Sequence, residues 1–492
     1  MTDQRGPAVP PVTIMPASEV RPGGRAAPRT APRQVPRTGE GRRVAAPRAA
    51  KRDASRAGWV EERLDVTGLN AKYGRKAFPV HTTFFLGEMA AFAFIILIVT
   101  GIYLGLIYIP SSAPVEVDGQ ELPEAYASVR LIESIPVANL FRNVHHWAAH
   151  VMVLATLLHL IRIFFFGTYR RPRELNWIIG VVMLILTLVA GFLGYALPFD
   201  SYAVTATGIG YSIARSIPWV GNVAAELFFG GAFPTLGSLP RLYTLHIFVV
   251  PALIALTTAA HILLIVKNKH SQPGYARKLA EPGRVLGVPA WPYQALLAGQ
   301  LFLLMFGALF ILSALFEIHP LAAYGPPGPG TPAVKPDWYL LWVYGFLDIV
   351  PASLTLTTPI GTIGPQFIGG IVFPGIIFTL IFLAPWLDRT NRGRDVPRFE
   401  YLQPPAQAPV RLTIGVGFLT YIGMLFVAGY HVELGLSIAQ TWYLSLIVPA
   451  VVMAATYGIA RQRDPAWSRR FDPSAEEEDE EVLYVEAPRG DQ

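Results

Sequence analysis

Eight stretches of this chain are each about twenty or more residues long and nearly free of charge. They lie near residues 84–108, 139–166, 175–197, 241–266, 294–316, 367–387, 410–429 and 438–460. A bilayer's hydrocarbon core of ~30 Å needs about twenty helical residues at ~1.5 Å each. Inside it, only helices or closed barrels satisfy their own backbone polar groups. The pattern predicts an all-α, polytopic membrane protein with eight transmembrane helices. Hydrophobic residues make up 52% of the chain and charged ones 15%. Mean hydropathy is +0.40 although both ends are polar. That balance excludes a soluble globular domain.

Residues 1–55 are rich in Arg, Pro, Ala and Gly and offer nothing to bury, so they read as a disordered basic tail. An organellar transit peptide is the alternative for this arginine-rich start. Residues 463–492 form an acidic tail that includes Glu476–Glu481, six consecutive acids, and they read as a solvated end. Between the tails, 56–270 and 271–462 divide the chain into halves of four spans each.

Loop charge sets the expected orientation. Arg170, Arg171 and Arg173 follow the second span. Lys267, Lys269, Arg277, Lys278 and Arg284 follow the fourth, and Arg389, Arg392, Arg394 and Arg398 follow the sixth. The alternate loops hold only Arg130, Arg215 and Lys335 as clear cations, and the last loop has none. Positive loops stay cytoplasmic, which predicts both termini inside. Two outward loops are too long to be plain turns. The 198–240 loop contains an amphipathic stretch, Gly210–Phe229, and the 317–366 loop contains an apolar insert, Trp338–Val350.

The chain has no cysteine. Disulfides, thiolate metal sites, cysteine-held iron–sulfur clusters and covalent c-type haem are therefore excluded. Any redox centre must be held by histidine or other non-thiol ligands. The second span carries His145 and His159, fourteen residues apart; the fourth carries His246 and His261, fifteen apart. These spacings put each pair on one side of its helix, offset by about 40° and about 60°, and ~21–22 Å apart along the axis. Both spans run from outside to inside, so His145 matches His246 in depth and His159 matches His261. Facing imidazoles at matched depth can grip one iron near each membrane surface and leave no open position on it. A lone membrane histidine is more often an interhelical hydrogen-bonding residue; two depth-matched pairs argue against that. His146 and His150 lie about 100° and 140° off the His145 face, where they pack or hydrogen-bond elsewhere.

Haem propionates need cations. Arg142 and Arg241 precede the two outer histidines and fit that role, with snorkelling to the interface as the alternative. Gly87 and Gly101 on the first span, and Gly180 and Gly194 on the third, repeat the fourteen-residue interval. They predict notches for flat macrocycles at the two haem levels.

These residues carry a family resemblance. Arg142-Asn143-Val144-His145-His146-Trp147 with His159, Pro172-Arg173-Glu174, Gly194-Tyr195-Ala196-Leu197-Pro198, Arg241-Leu242-Tyr243-Thr244-Leu245-His246 and Pro251 resemble cytochrome b of quinol:cytochrome c oxidoreductases. Pro336-Asp337-Trp338-Tyr339 resembles that family's Pro-Glu-Trp-Tyr signature. The likeness spans about 70–460 and is nearest the fused, full-length actinobacterial type.

The resemblance implies a dihaem four-helix bundle followed by a second helical region, with two non-covalent b-type haems. It implies quinol oxidation at an outer site and electron flow through the outer and then the inner haem to an inner quinone site, with proton translocation. It also implies a Rieske iron–sulfur protein and a c-type cytochrome as partners, a homodimeric complex, menaquinone as the quinone, and a bacterial plasma membrane. Asp337 and Tyr344 become the catalytic candidates at the quinol site, with Pro336, Trp338 and Tyr339 around them. Asp337 is one methylene shorter than the family glutamate, so a water would bridge it to substrate. It also stands where it would cap the short helix that follows. Asp348 replaces an arginine of mitochondrial forms. His270, Lys267, Lys269 and Glu88 are candidates for the inner site, or else ordinary residues of a positive-inside loop and helix end.

Two rival classes remain at this stage. A dihaem anchor subunit of a dehydrogenase would need only four or five spans. A transporter using histidines for protons or metal would have no visible haem spectrum.

Overall fold

A computed structural model describes residues 61, 63–70, 74–79, 81–274, 276, 285–328, 335–359, 361–391 and 398–462. Both tails expected to be unstructured lie almost wholly outside the described residues. The chain divides after Leu64, and all eight long helices belong to the unit Asp65–Gln492. They are Phe85–Gly105, Pro136–Phe165, Glu174–Ala196, Ser238–Asn268, Ala290–Leu315, Pro365–Leu387, Pro409–Ala428 and Ile438–Gln462. Each is long and apolar enough to cross a membrane, and this is a multi-pass membrane protein. Large apolar side chains such as Ile102, Leu256, Leu303 and Leu446 point outward from the spans, as lipid-facing residues do.

The first span packs on the second, the second on the third, and the third on the fourth. The fifth leans on the first and second, the sixth on the third, and the seventh pairs closely with the eighth. Small residues let these helices approach. Ala93, Ala148 and Ala196 are buried in the core of the first bundle together with Val144, Leu193 and Ile254. At the end of the sixth span, Arg411 pairs with Asp388 at 3.3 Å, and the Tyr169 hydroxyl donates to the same carboxylate at 2.7 Å. Burial would push the Asp388 carboxyl up, but hydrogen bonds from Tyr169 and Thr390 and the charge of Arg411 hold it below its ordinary value. Arg173 donates to the carbonyls of Phe399, Asn268 and Lys269. Arg170, also buried, lies 3.9 Å from the centre of the Phe399 ring. These loop arginines clasp together the loops that follow the second, fourth and sixth spans.

Three features differ from the sequence expectations. The fourth span is not uniformly α-helical, because Leu245–Val249 forms a π turn around His246. A π turn takes up one extra residue. It absorbs one residue of the His246–His261 interval, which then matches the fourteen-residue interval of the second span. The Gly210–Phe229 stretch is two helices, Ser201–Arg215 and Gly221–Phe229. Pro218 disfavours helix at Ile217, and Trp219 turns the chain at φ 63°. The loop between the first and second spans holds an unexpected hairpin, Pro114–Val117 with Gln120–Pro123, followed by the helix Glu124–Ser134. Asp118 and Gly119, both at positive φ, make its two-residue turn. The expected insert in the long outward loop is a 3₁₀ turn, Trp338–Leu340, leading into the helix Leu341–Ile349.

Candidate functional site: two imidazole pairs and an outer cavity

The four histidines form two pairs between the second and fourth spans. The ring centroids of His145 and His246 are 6.2 Å apart with planes at 67°. Those of His159 and His261 are 6.4 Å apart at 69°. An iron bound to one nitrogen of each imidazole at about 2.0 Å separates the two ring centroids by roughly 6.3 Å. Both pairs fit that spacing. At the outer level the second ring nitrogens are fixed. His145 Nδ1 meets the Thr100 hydroxyl at 2.9 Å, and His246 Nδ1 meets the Ala190 carbonyl at 3.0 Å. Such bonds set the tautomer and leave the far nitrogen free to ligate. At the inner level, His159 Nδ1 and His261 Nδ1 are buried without a hydrogen-bond partner among the described residues.

Each of the four glycines lies against one of these imidazoles. A Cβ at Gly194 would sit 2.8 Å from His246 Cε1, at Gly87 3.1 Å from His159 Cε1, at Gly101 3.2 Å from His145 Cε1, and at Gly180 3.8 Å from His261 Cε1. The first and third spans thus flank the histidine pairs at both depths. The chemistry of the donors, the centroid spacing and the glycine cradle fit a flat iron macrocycle at each level.

Of the two outer arginines, only Arg142 lines the cavity beside His145 and His246. It pairs with Glu133 at 3.2 Å and donates to the carbonyls of Ile318 and His319. Arg241 is exposed and donates to the Gly237 carbonyl at 3.0 Å. An inner-level cation that sequence reasoning missed is Arg162, three residues after His159. It donates to Thr83 through Nε, and its Nη2 is buried without a partner among the described residues. Its position one helical turn from a predicted ligand was the available signal.

The outer cavity holds about 550 Å³ and runs from the His145–His246 pair to Asp337 and Tyr339. Asp337 opens the short 3₁₀ turn, but its side chain does not cap it. The carboxylate instead accepts from the Tyr339 hydroxyl at 3.0 Å. Burial, then the Asp337 charge, push the Tyr339 phenol well above its ordinary value, so it donates and does not ionise. Tyr344 does not line this cavity. Its pKa is raised by burial and by the neighbouring Asp348. Asp348 in turn lies 3.2 Å from His431. The polar residues His319, Asp200, Tyr195 and Tyr202 also gather near Asp337. His319 bonds to Asp200 at 2.8 Å and packs on Tyr202. No spacing rule pointed to them, because they come from three separate segments.

Just past the fourth span, the His270 ring packs against Phe78, tilted at 53° with centroids 5.0 Å apart. Burial, followed by the charges of Arg173 and Arg162, lowers its pKa to about 4. Glu88 Oε1 accepts from Gln294 at 2.8 Å, while Oε2 is buried without a partner among the described residues.

Residues 150–326 match the family described as cytochrome b(N-terminal)/b6/petB, and residues 329–444 match cytochrome b(C-terminal)/b6/petD. The cytochrome bc1 complex cytochrome b subunit of Streptomyces coelicolor is 33% identical, over 81% of this chain and 76% of that protein. The subunit of the same name from Corynebacterium efficiens is 35% identical over 81% and 76%, and that from Mycobacterium leprae 34% over 78% and 72%. A solved structure titled "Hyperthermophilic respiratory Complex III" has a similar fold, with a TM-score of 0.63 at 23% identity, covering 84% of this chain and all of that one.

Proposed function

Because this chain belongs to the cytochrome b family, as the cytochrome b subunit of a bc1-type respiratory complex, we propose that it carries electrons between two quinone sites on opposite membrane faces. The observation that carries this reading is the repetition of one imidazole geometry, 6.2 Å and 6.4 Å between centroids, at two depths. Two b-type haems held there supply one-electron relays joining an outer quinol-oxidising site to an inner quinone-reducing site. His145 and His246 hold the outer group, and His159 and His261 hold the inner one. Arg142 and Arg162 offer their guanidiniums to the carboxylates of these groups, one at each level. The glycines keep the flanking helices close without a side chain in the way.

Asp337 takes a proton from quinol at the outer cavity, and Tyr339 orients its carboxylate. Pro336 and Trp338 shape the turn that presents it, while Tyr344 lies beyond the cavity on the helix that follows, beside Asp348. Menaquinone is the quinone in this reading. A Rieske iron–sulfur protein and a c-type cytochrome are the protein partners, and the complex is a homodimer. The chain sits in a bacterial plasma membrane with both termini cytoplasmic, and proton release outside with uptake inside translocates charge.

The test is a redox titration of the intact complex. Two separable low-spin components in the α-band region are expected. Absence of any reduced-haem band would leave the transporter reading in its place. Asp337→Asn is expected to slow quinol oxidation by about a hundredfold or more, the scale on which positioned bases act, while quinone affinity changes little. Unchanged turnover across pH would remove Asp337 from the proton path.

A further inference from the structure

Behind the polar wall of the outer cavity stands a buried acid, Asp200, which is 0% exposed and does not itself line the cavity. Its two oxygens are committed to different donors. Oδ1 accepts from the Ala203 N–H at 2.7 Å, capping the helix Ser201–Arg215, and Oδ2 meets His319 Nε2 at 2.8 Å. A carboxylate only accepts, so Nε2 carries the proton and the neutral ring keeps Nδ1 as a bare acceptor. His319 does line the cavity, together with Asp337 and Tyr339. Its Nδ1 has no hydrogen-bond partner among the described residues and, unlike Nδ1 of His159 and His261, is not sealed in. The imidazole is firmly held. It stacks on Tyr324 with centroids 4.1 Å apart at 14°, and meets the Tyr202 ring at 4.8 Å and 63°. Its backbone stands at φ 50°, a conformation uncommon outside glycine, and Arg142 donates to its carbonyl. The Ser201 N–H donates to the Gly325 carbonyl at 3.0 Å, which ties the start of that helix to the same loop a second time.

We propose that His319 is a quinol-binding residue of the outer site: Asp200 fixes its tautomer, so that Nδ1 accepts a hydrogen bond from a quinol hydroxyl. This inference rests on the outer-site reading above. Quinol and quinone differ in the property that such a nitrogen reads. Quinol hydroxyls donate, whereas quinone carbonyls only accept. A bare Nδ1 therefore favours the reduced substrate, and sets a lone pair against the carbonyl of the oxidised product. Asp337 and His319 have separate tasks. The acid takes the proton; the imidazole orients the ring and discriminates between its redox states, with its own proton kept on Nε2. Burial, followed by the neighbouring Asp337, Tyr324 and Asp200, pushes the Tyr202 phenol up, so a neutral hydroxyl stands between the two acids. If the Asp200–His319 pair served only to tie the two outward loops, the Nε2 contact would matter and the state of Nδ1 would not.

The experiment compares the KM of a short-chain naphthoquinol with the product-inhibition constant of its quinone in the intact complex. Asp200→Asn keeps the size and the cap of Asp200 but inverts the tautomer. Its amide oxygen must accept from the Ala203 N–H, which leaves the NH2 facing Nε2. That nitrogen then accepts, and the ring proton moves to Nδ1. The quinol KM should rise and the quinone constant should fall, each by about three- to tenfold, the range of one hydrogen bond's net contribution, with both haem bands unchanged. His319→Phe should raise the quinol KM without tightening quinone. His319→Gln, whose amide can donate to Asp200 and present its oxygen, should recover most of that loss. If Asp200→Asn moves both constants in the same direction, or moves neither, the proposal is overturned. Should that variant not assemble, an equal quinol KM in His319→Phe and His319→Gln overturns it instead. Full turnover of Asp337→Asn would sink the outer-site reading itself. Slowed turnover there, with unmoved constants in Asp200→Asn, sinks the assignment of His319 alone.

Discussion

The four glycines beside the histidines make a graded experiment, because the space at each is different. Replacing a helical glycine by alanine stabilises a helix by about 0.5–1 kcal/mol through backbone entropy. Forcing a carbon into packed surroundings costs about 1–3 kcal/mol. At Gly194 the new Cβ comes to 2.8 Å from His246 Cε1, inside any real contact. His246 cannot easily withdraw, because its Nδ1 is tied to Ala190 one turn earlier on the same helix as Gly194. The clash wins there, for a net loss of roughly 1–2 kcal/mol felt at the outer imidazole. At Gly180 the distance is 3.8 Å, an ordinary contact. Helix propensity wins there, and Gly180→Ala should be neutral or stabilising by up to about 1 kcal/mol. Gly87 and Gly101, at 3.1 and 3.2 Å, fall between. The assay is haem stoichiometry and the two midpoint potentials in the purified complex. Gly194→Ala should disturb the outer component alone, Gly87→Ala the inner alone, and Gly180→Ala neither. If Gly180→Ala disturbed its component as much as Gly194→Ala, the close-approach argument would be refuted.

Two further outcomes are expected. His159→Leu should remove one α-band component and leave the outer one, and it should block electron exchange with the inner quinone pool; a native inner spectrum would show that another residue is the ligand. The folded pKa of His270 is about 4, against an ordinary 6.5, so between those values the unfolded chain binds more protons. The stability from burying neutral His270 is complete above about pH 6.5 and is lost as pH falls toward 4, by at most about 3 kcal/mol. Thermal melts of the complex should show an acid slope that His270→Gln flattens, and an equal slope in that variant would assign it to another group.

The parts of this architecture that were legible in sequence are those governed by periodicity along one helix. A membrane helix must be long, apolar and regular, so its ends fall within a few residues of where hydropathy changes. The second span was expected at 139–166 and runs Pro136–Phe165. Histidine and glycine intervals translate directly into depth on a straight helix. The same arithmetic fails where the helix is irregular. The π turn at Leu245–Val249 leaves no pattern in a uniformly apolar run, so the fifteen-residue interval could be counted but not placed. Loops were less legible, because their form depends on local turn chemistry. Asp118-Gly119 between Pro114–Val117 and Gln120–Pro123 carries a recognisable hairpin signal, whereas the packing of His319 on Asp200 and Tyr202 depends on long-range closure of two outward loops.

What joins these levels is that the outer histidine pair and the acid of the loop motif open onto one cavity. The sequence puts Asp337 192 residues after His145 and 91 after His246. Arg142 and Asn143 bring them together by hydrogen bonds to Ile318 and His319, at the start of the loop that carries Asp337. Arg142 is thereby committed to the carbonyls of that loop and to Glu133. Its charge stands at the cavity while its donors anchor Ile318 and His319 of the loop. Substituting it would therefore loosen the loop and remove a cation in one step. The two effects separate only by comparing it with Asn143, which touches the same loop through an uncharged amide. A loss shared by both variants belongs to anchoring, and the excess at Arg142 belongs to its charge.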